Sequence, residues 1–108
     1  MYDDAAVNAW IQDDPDPVTR AELTELLCAA RSHGEQAQAA RRALSDAFSG
    51  TLAFGTAGLR GRLGGGPNRM NRVVVIRAAA GLSEYLKSRL GEGFSVVIGY
   101  DARHNSEQ

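Results

Sequence analysis

The chain has 108 residues and one cysteine, which allows a single domain with a modest core and excludes an internal disulfide. Its hydrophobic content of 44%, charged content of 23% and net charge of −1 are ordinary for a globular protein and argue against general affinity for nucleic acid or membranes. No apolar run approaches the roughly 20 residues that span a bilayer, and the start of the chain lacks the features of a signal peptide, so we expect a cytoplasmic protein.

Three helices are predicted in the first half of the chain. Residues 3–12 form the first, and residues 35–48 form the third. The second begins at Asp16, an N-cap followed by proline, or at Thr19, which starts a capping box. The apolar stripes of the second and third helices are Leu23, Leu26, Leu27, Ala30, Ala40, Leu44, Ala47 and Phe48.

The second half of the chain alternates between extended and helical patterns. Residues 53–63 mix apolar residues with glycines and predict a kinked strand, and 64–68 predict a turn or flexible loop. A long helix is predicted over 72–90, capped by Asn71. The continuous apolar run 94–100 predicts a strand that is buried on both faces.

These elements predict an α/β protein with two segments. Residues 1–50 form a helical N-terminal lead-in, and residues 51–108 begin an α/β layer with the order strand, helix, strand. The charge is divided between the same two segments. The first has a balance of −5, and the second has a balance of +4.

Residues 54–61 read Phe-Gly-Thr-Ala-Gly-Leu-Arg-Gly and are the first candidate site. Glycines at every third position, including Gly58, let the backbone approach a ligand closely. Arg60 adds a planar, permanently charged donor that suits a phosphate, and Thr56 adds a hydroxyl. The alternative is a tight β-bend with a solvated arginine, and the spacing alone leaves both interpretations open.

Asp101 and Arg103 are the second candidate group, because they follow the predicted strand 94–100 at its carboxyl end. They either face the ligand or pair with each other and with Arg60, so that they support the wall of the cleft. The spacing favours the supporting role. No cluster of His, Cys, Asp or Glu has the spacing of a metal site, so we expect no metal ligands in this chain.

Other basic and glycine-rich features allow a second interpretation. Arginines 62, 69, 72 and 77 would serve a non-catalytic anion-binding or nucleic-acid-binding module that uses the basic half. No aromatic residues lie between them, which favours a solvated face. The triplet 64–66 either cradles phosphate or forms a mobile connection, and the second is favoured.

The segments 54–61 and 99–106, the latter reading Gly-Tyr-Asp-Ala-Arg-His-Asn-Ser, resemble the opening of the α-D-phosphohexomutases. The resemblance is closest to the Phe-Gly-Thr-Ala-Gly-Leu-Arg branch, which includes enzymes acting on phosphopentoses. It implies that residues 51–108 are the incomplete first domain of a mixed α/β sandwich. It also places Arg60 in the active-site cleft near a phosphoserine, as a catalytic and phosphate-binding residue.

The resemblance further implies a phosphoglucomutase- or phosphomannomutase-type reaction, in which a phosphoryl group moves between the C1 hydroxyl and the C6 or C5 hydroxyl of a sugar. Such an enzyme needs Mg²⁺ and a glucose 1,6-bisphosphate-type activator. The phosphoserine, the magnesium ligands and the loops that choose the sugar are expected in the rest of the parent chain. The expected partners are therefore a small sugar phosphate and that remaining chain, with neither nucleic acid nor membrane, and the 108 residues alone are expected to be inactive.

Overall fold

The computed structural model describes residues 1–103 and 105–107 and divides into two compact units, Met1–Val75 and Ile76–Gln108. The elements, in chain order, are helices α1 (Asp4–Asp13), α2 (Pro17–Ala30) and α3 (Glu35–Ala47), strands β1 (Phe54–Gly55) and β2 (Gly58–Leu59), and helix α4 (Arg72–Leu90). The described part is thus mixed α/β, a helical lead-in followed by the start of an α/β part, as the sequence predicts. None of its helices combines the length and apolar character needed to cross a membrane.

Side-chain caps decide where the first two helices begin. The Asp3 side chain accepts a hydrogen bond from the amide of Ala5 at 3.0 Å, and Asp16 accepts one from the amide of Val18 at 2.9 Å. Each carboxylate satisfies an amide that has no partner within the helix. The start of α2 at Asp16 is therefore confirmed, and the alternative start at Thr19 is not used.

The core of the first unit lies where the apolar faces of α1, α2 and α3 meet the start of α4. Leu23 and Leu44 are fully buried at its centre, and burying a leucine side chain stabilises a fold by about 1.5–3 kcal/mol. The Trp10 and Phe48 rings pack edge to face, with centroids 6.1 Å apart. The buried residues that form one contiguous core cluster are Val7, Trp10, Leu23, Leu27, Ala30, Ala40, Leu44 and Val73.

The segment between α3 and α4 differs from the prediction in two ways. The predicted kinked strand over 53–63 is a short antiparallel hairpin, in which Phe54 pairs with Leu59 and Gly55 pairs with Gly58. The triplet 64–66, for which a mobile connection was favoured, is buried. It packs on the helical lead-in, because glycine has no side chain to keep two backbones apart.

Helix α4 is confirmed over its predicted range. The Asn71 side chain accepts a hydrogen bond from the amide of Val74 at 3.0 Å, as a helix N-cap does. Gly91, with φ of +72°, ends the helix, and its amide donates to the carbonyl of Lys87 at 3.0 Å. The β-branched residues at the start of the helix do not prevent it, because Val73 is buried in the core.

The strand predicted over 94–100 is not formed in the described structure. Val97 and Ile98 have 97% and 84% of their surface exposed, although the apolar run predicted burial on both faces. A strand requires ladder hydrogen bonds to a neighbour, and no segment among the described residues pairs with this one. The apolar composition of this run is therefore not sufficient to form a strand in the part of the chain that the structure describes.

Candidate functional site

The β1–β2 hairpin carries the first candidate site. Thr56 and Ala57 form its tip, and Gly58 follows with φ of +101°, a conformation that favours glycine. The tip is exposed, and Phe54 itself has 67% of its surface in solvent. The backbone of the hairpin tip is thus open to a ligand.

Arg60 comes immediately after β2 and is exposed. Its side chain forms no hydrogen bond or ion pair with another described residue. A guanidinium keeps its charge at any physiological pH and offers paired donors to an anion. The structure therefore presents a cation that has no partner among the described residues, beside an open glycine hairpin, and this arrangement can bind a phosphate.

The second candidate group forms its own hydrogen-bonded loop. The Asp101 carboxylate accepts a hydrogen bond from the Ser106 hydroxyl at 2.7 Å and another from the amide of Arg103 at 3.1 Å. The guanidinium of Arg103 donates to the same carboxylate at 2.7 Å. His104, which belongs to the same motif, lies outside the described residues.

These donors stabilise the ionised form of Asp101. The Ser106 hydroxyl is the largest cause, followed by the backbone and the side chain of Arg103, and together they lower the pKa of Asp101 from 3.8 to about 2. Asp101 is therefore a carboxylate throughout the physiological range, held as a hydrogen-bond acceptor rather than poised as a proton donor.

The two candidate groups lie in different compact units, Arg60 in the first and Asp101 with Arg103 in the second. The mutual pairing of Asp101 and Arg103 is one part of the predicted supporting role. That they share a cleft with Arg60 stays a prediction, as do the phosphate-binding roles of Thr56 and Gly58.

The prediction of a solvated arginine face is wrong for one of its four residues. Arg69 was expected on a solvated face, but only 11% of its side chain is exposed, and it forms an ion pair with Asp46 of α3. Arg62 and Arg77 are exposed, and Arg72 is half-buried. Arg69 therefore does not belong to an exposed basic face, because its side chain is turned into the fold.

Sequence patterns pointed to only one of the residues that fix the loop after the hairpin. Asn71 was predicted as a cap, but its amide also donates to the carbonyls of Gly64 and Gly66, each at 2.8 Å. Asp46 and Asn68 also fix this loop, but no sequence pattern indicates their contact, because the two residues meet only when α3 and the loop pack together.

Side chains that could ligate a metal ion are not clustered in the part of the chain that the structure describes. Among residues 1–103 and 105–107, no three His, Cys, Asp or Glu side chains lie close enough together to hold a metal ion. The described residues therefore do not supply a magnesium site among themselves.

The family of the chain is shown by comparison with known proteins. Residues 51–108 match the family model described as phosphoglucomutase/phosphomannomutase, alpha/beta/alpha domain I. The match covers more than half of the chain, begins just before the hairpin and includes both candidate groups. No solved structure matches the chain.

Curated relatives cover different portions of the chain. It is 33% identical to the phosphoribomutase of Saccharomyces cerevisiae over 102 residues, which are 94% of this chain and 15% of that protein. It is 35% identical to a probable phosphoribomutase of Schizosaccharomyces pombe over 93% of this chain and 16% of that protein. It is 49% identical to the phosphoglucomutase of Staphylococcus haemolyticus over 56% of this chain and 11% of that protein. The chain thus spans less than a fifth of the length of each.

Proposed function

Since the chain belongs to the phosphoglucomutase/phosphomannomutase family, we propose that it forms the N-terminal part of a phosphosugar mutase and carries one wall of its active site. The observation that carries this proposal is the exposure of Arg60 next to the glycine hairpin, inside the matched segment. The Arg60 side chain has no partner among the described residues. Phosphate is the ligand that best fits such a cation, because a guanidinium fork donates two parallel hydrogen bonds to its oxygens.

The hairpin supplies the remaining contacts in this proposal. Thr56 donates its hydroxyl to the phosphate, and Gly58 keeps the approach free of a side chain. Arg60 neutralises the charge that spreads over the phosphoryl oxygens during transfer. Phosphoryl transfer depends mainly on positioning and charge neutralisation, so a preorganised arginine acts directly on the rate.

Asp101 and Arg103 have a supporting role in the same proposal. Their mutual ion pair and the hydrogen bond from Ser106 hold Asp101, Arg103 and Ser106 against one another. A loop of fixed shape can form a cleft wall in the complete enzyme without touching the migrating group. Ser106 is not proposed as the phosphorylated serine, because its hydroxyl donates to Asp101.

The reaction of the complete enzyme has two balanced half-steps. A phosphoserine outside this chain gives its phosphoryl group to the free hydroxyl of a sugar monophosphate, which produces a sugar bisphosphate and a free serine. The bisphosphate turns over, and its other phosphoryl group returns to the serine, which releases the isomeric monophosphate. A bisphosphate activator primes the serine, and Mg²⁺ bound by residues of the longer protein supplies additional charge neutralisation.

Two substrate classes are compatible with this proposal. The relatives named phosphoribomutase match over 93–94% of the chain, including most of the helical lead-in, whereas the Staphylococcus haemolyticus phosphoglucomutase matches over 56%. Pentose phosphates therefore belong in the first assay beside glucose phosphates. A cytoplasmic location suits either class of metabolite.

The nucleic-acid-binding alternative is not favoured. It needs a basic surface formed by arginines 62, 69, 72 and 77, and Arg69 is paired with Asp46 instead. The acidic first half, with a charge balance of −5, would also repel a polyanion. A filter-binding titration with an oligonucleotide should therefore show little affinity even at low salt.

A coupled assay tests the proposal. The intact protein should isomerise ribose 1-phosphate or glucose 1-phosphate in the presence of Mg²⁺ and a trace of the corresponding bisphosphate. The 108-residue chain alone should remain at background, because the proposed serine and magnesium ligands are not among its residues. If the intact protein isomerises neither sugar phosphate, the mutase assignment is refuted. If the 108-residue chain alone shows turnover, the proposal that the serine and the magnesium ligands lie outside it is refuted.

A further inference from the structure

The ends of the hairpin are tied to the loop that follows it. The amide of Leu52, before β1, donates to the carbonyl of Pro67 at 3.1 Å. Beyond β2, the amide of Met70 donates to the carbonyl of Arg62 at 2.7 Å, and the amide of Gly64 donates to the carbonyl of Met70 at 3.2 Å. Both ends of the hairpin therefore depend on the placement of the loop 64–70.

The loop rests directly on the helical lead-in. A Cβ built on Gly65 would lie 2.6 Å from Cγ of Leu23 in α2, and one built on Gly66 would lie 2.8 Å from the carbonyl oxygen of Ala47 in α3. Both distances are below normal van der Waals separation, so only glycine lets the loop approach the helices this closely.

Polar contacts then fix the loop to the end of α3. The guanidinium of Arg69 pairs with the carboxylate of Asp46. The amide of Asn68 donates to the carbonyl of Ala47 at 2.9 Å, and its side chain donates to the carbonyl of Asp46 at 3.0 Å. Asp46 thus contacts the loop through both its side chain and its backbone.

The hairpin itself has little other support. Phe54 at the start of β1 is 67% exposed, and the tip residues are exposed as well. A two-stranded hairpin alone is at best marginally stable in water. Its orientation, and with it the direction of Arg60, is therefore decided at its base.

We propose that Asp46 and Arg69 act as positioning residues, which clamp the loop 64–70 onto the helical lead-in and so hold the hairpin that carries Arg60 in one orientation. Through its contacts with the loop, the clamp gives the lead-in an indirect part in phosphate binding. This inference rests on the proposed function for its catalytic meaning, but the clamp itself is a structural claim that can be measured without activity.

Hydrogen exchange of the intact protein tests the clamp first. Asp46→Asn should raise the exchange rate of peptides covering 52–70 by about tenfold or more, because a broken, partly buried ion pair lowers the cost of local opening. Peptides of α2 should keep their protection. Arg62→Gln is the matched control, since it removes one positive charge from an exposed site beside the hairpin, and it should leave both sets of peptides unchanged.

Three outcomes of this experiment would overturn the clamp. The first is unchanged exchange over 52–70 in the Asp46→Asn variant. The second is an equal loss of protection over 52–70 and α2, which would make the pair a general stabiliser of the unit. The third is an equal effect of Arg62→Gln, which would make charge alone the cause. Arg69→Gln provides a second variant and should give the same local pattern as Asp46→Asn.

A kinetic cycle connects the clamp to Arg60. If Asp46 acts through Arg60, Asp46→Asn should lower kcat several-fold in the wild-type background but produce no further loss in an Arg60→Ala background. Independent, additive losses would overturn the positioning role even if the exchange pattern holds. Absence of mutase activity in the wild-type protein would instead refute the proposed function, and the exchange result would still decide whether the clamp exists.

Discussion

Two glycine-rich segments follow each other along the chain, and they use glycine for opposite purposes. In the hairpin, a Cβ on Gly55 would have the carbonyl oxygen of Gly58 as its nearest neighbour, at 3.8 Å, and a Cβ on Gly58 would meet nothing within 4 Å. These glycines leave space open. In the loop 64–66, the space that a Cβ would need at Gly65 and Gly66 is already filled by the helical lead-in.

The difference shows that a missing side chain can serve a ligand or a neighbouring helix. Both segments are short, glycine-rich and close to arginines, so composition gives them the same appearance. Burial separates them, because Gly64, Gly65 and Gly66 are buried while the hairpin tip is exposed. The exposed segment is the candidate for binding, and the buried one holds it in place.

The largest expected effect comes from adding a methyl group to the buried loop. Gly66→Ala should destabilise the chain by about 3 kcal/mol, because the new Cβ meets the carbonyl of Ala47 and the positive φ disfavours alanine. Equilibrium urea unfolding measures the loss. Gly55→Ala is the matched control in the exposed hairpin and should stay within about 0.5 kcal/mol of wild type. Equal losses in the two variants would contradict the assigned difference.

Removing the exposed arginine, Arg60, should lower activity and leave stability nearly unchanged. Arg60→Ala in the intact protein should lower kcat by about 100-fold, with a smaller change in KM, if the guanidinium meets the phosphoryl group mainly in the transition state. Its unfolding free energy should hardly change, because Arg60 has no described protein partner. Arg60→Lys should recover only part of the rate, since lysine lacks the planar fork.

Steady-state kinetics of the same preparations, with circular dichroism to confirm folding, checks this prediction. Arg62→Ala is the control, because it removes an exposed arginine two residues away and should retain most of the activity. If the Arg60→Ala variant keeps the wild-type kcat, Arg60 has no catalytic role.

Asn71 is expected to contribute to the buried loop and to α4 together. Asn71→Ala should cost about 2 kcal/mol, because it removes the cap on α4, takes from the carbonyl of Gly64 its side-chain donor and leaves the carbonyl of Gly66 with only the amide of Arg69 among the described residues. Asn71→Asp keeps the acceptor for the cap but lacks the amide donors, so most of the loss should remain. If Asn71→Asp has the same free energy of unfolding in urea as the wild type, the cap on α4 accounts for the whole contribution of Asn71.

The smallest expected effect concerns acid and the loop 101–106. The folded pKa of Asp101, about 2, lies below its ordinary value of 3.8, so the hydrogen bonds of its carboxylate stabilise the loop above pH 3.8. This contribution falls as the pH drops from 3.8 through about 2. An NMR titration of the Asp101 carboxyl carbon should show that low midpoint.

A serine variant tests the cause of the low pKa. Ser106→Ala should raise the pKa of Asp101 toward 3.8, because the Ser106 hydroxyl is the largest of the stabilising donors. Ser88→Ala is the control, because the Ser88 hydroxyl donates to the carbonyl of Tyr85, and it should leave the pKa of Asp101 unchanged. A midpoint near 3.8 in the wild-type chain would show that the loop is not held by these bonds in solution.

Local signals were sufficient wherever a structure is made by neighbouring residues. Asp16 begins α2, and Asn71 caps α4 over the predicted range, because capping needs only a side chain and an amide two or three residues away. The signature 54–61 was enough to indicate the family, which the match over residues 51–108 confirms.

Segments that depend on distant partners were predicted poorly. The run 94–100 has the composition of a buried strand, yet it pairs with nothing among the described residues, since a strand exists only with a neighbour. The loop 64–66 was expected to be mobile, because nothing adjacent to it in the chain indicates that α2 and α3 will cover it.

The amino-acid order alone therefore predicts the cap at Asn71, the extent of α4 and the segment that carries the family signature, because those features depend on contacts a few residues apart. Packing alone settles that Arg69 turns inward to Asp46 while Arg60 stays exposed. Two arginines nine positions apart are chemically identical, and only a carboxylate brought from α3, 23 positions before Arg69, separates a clamp from a candidate ligand site.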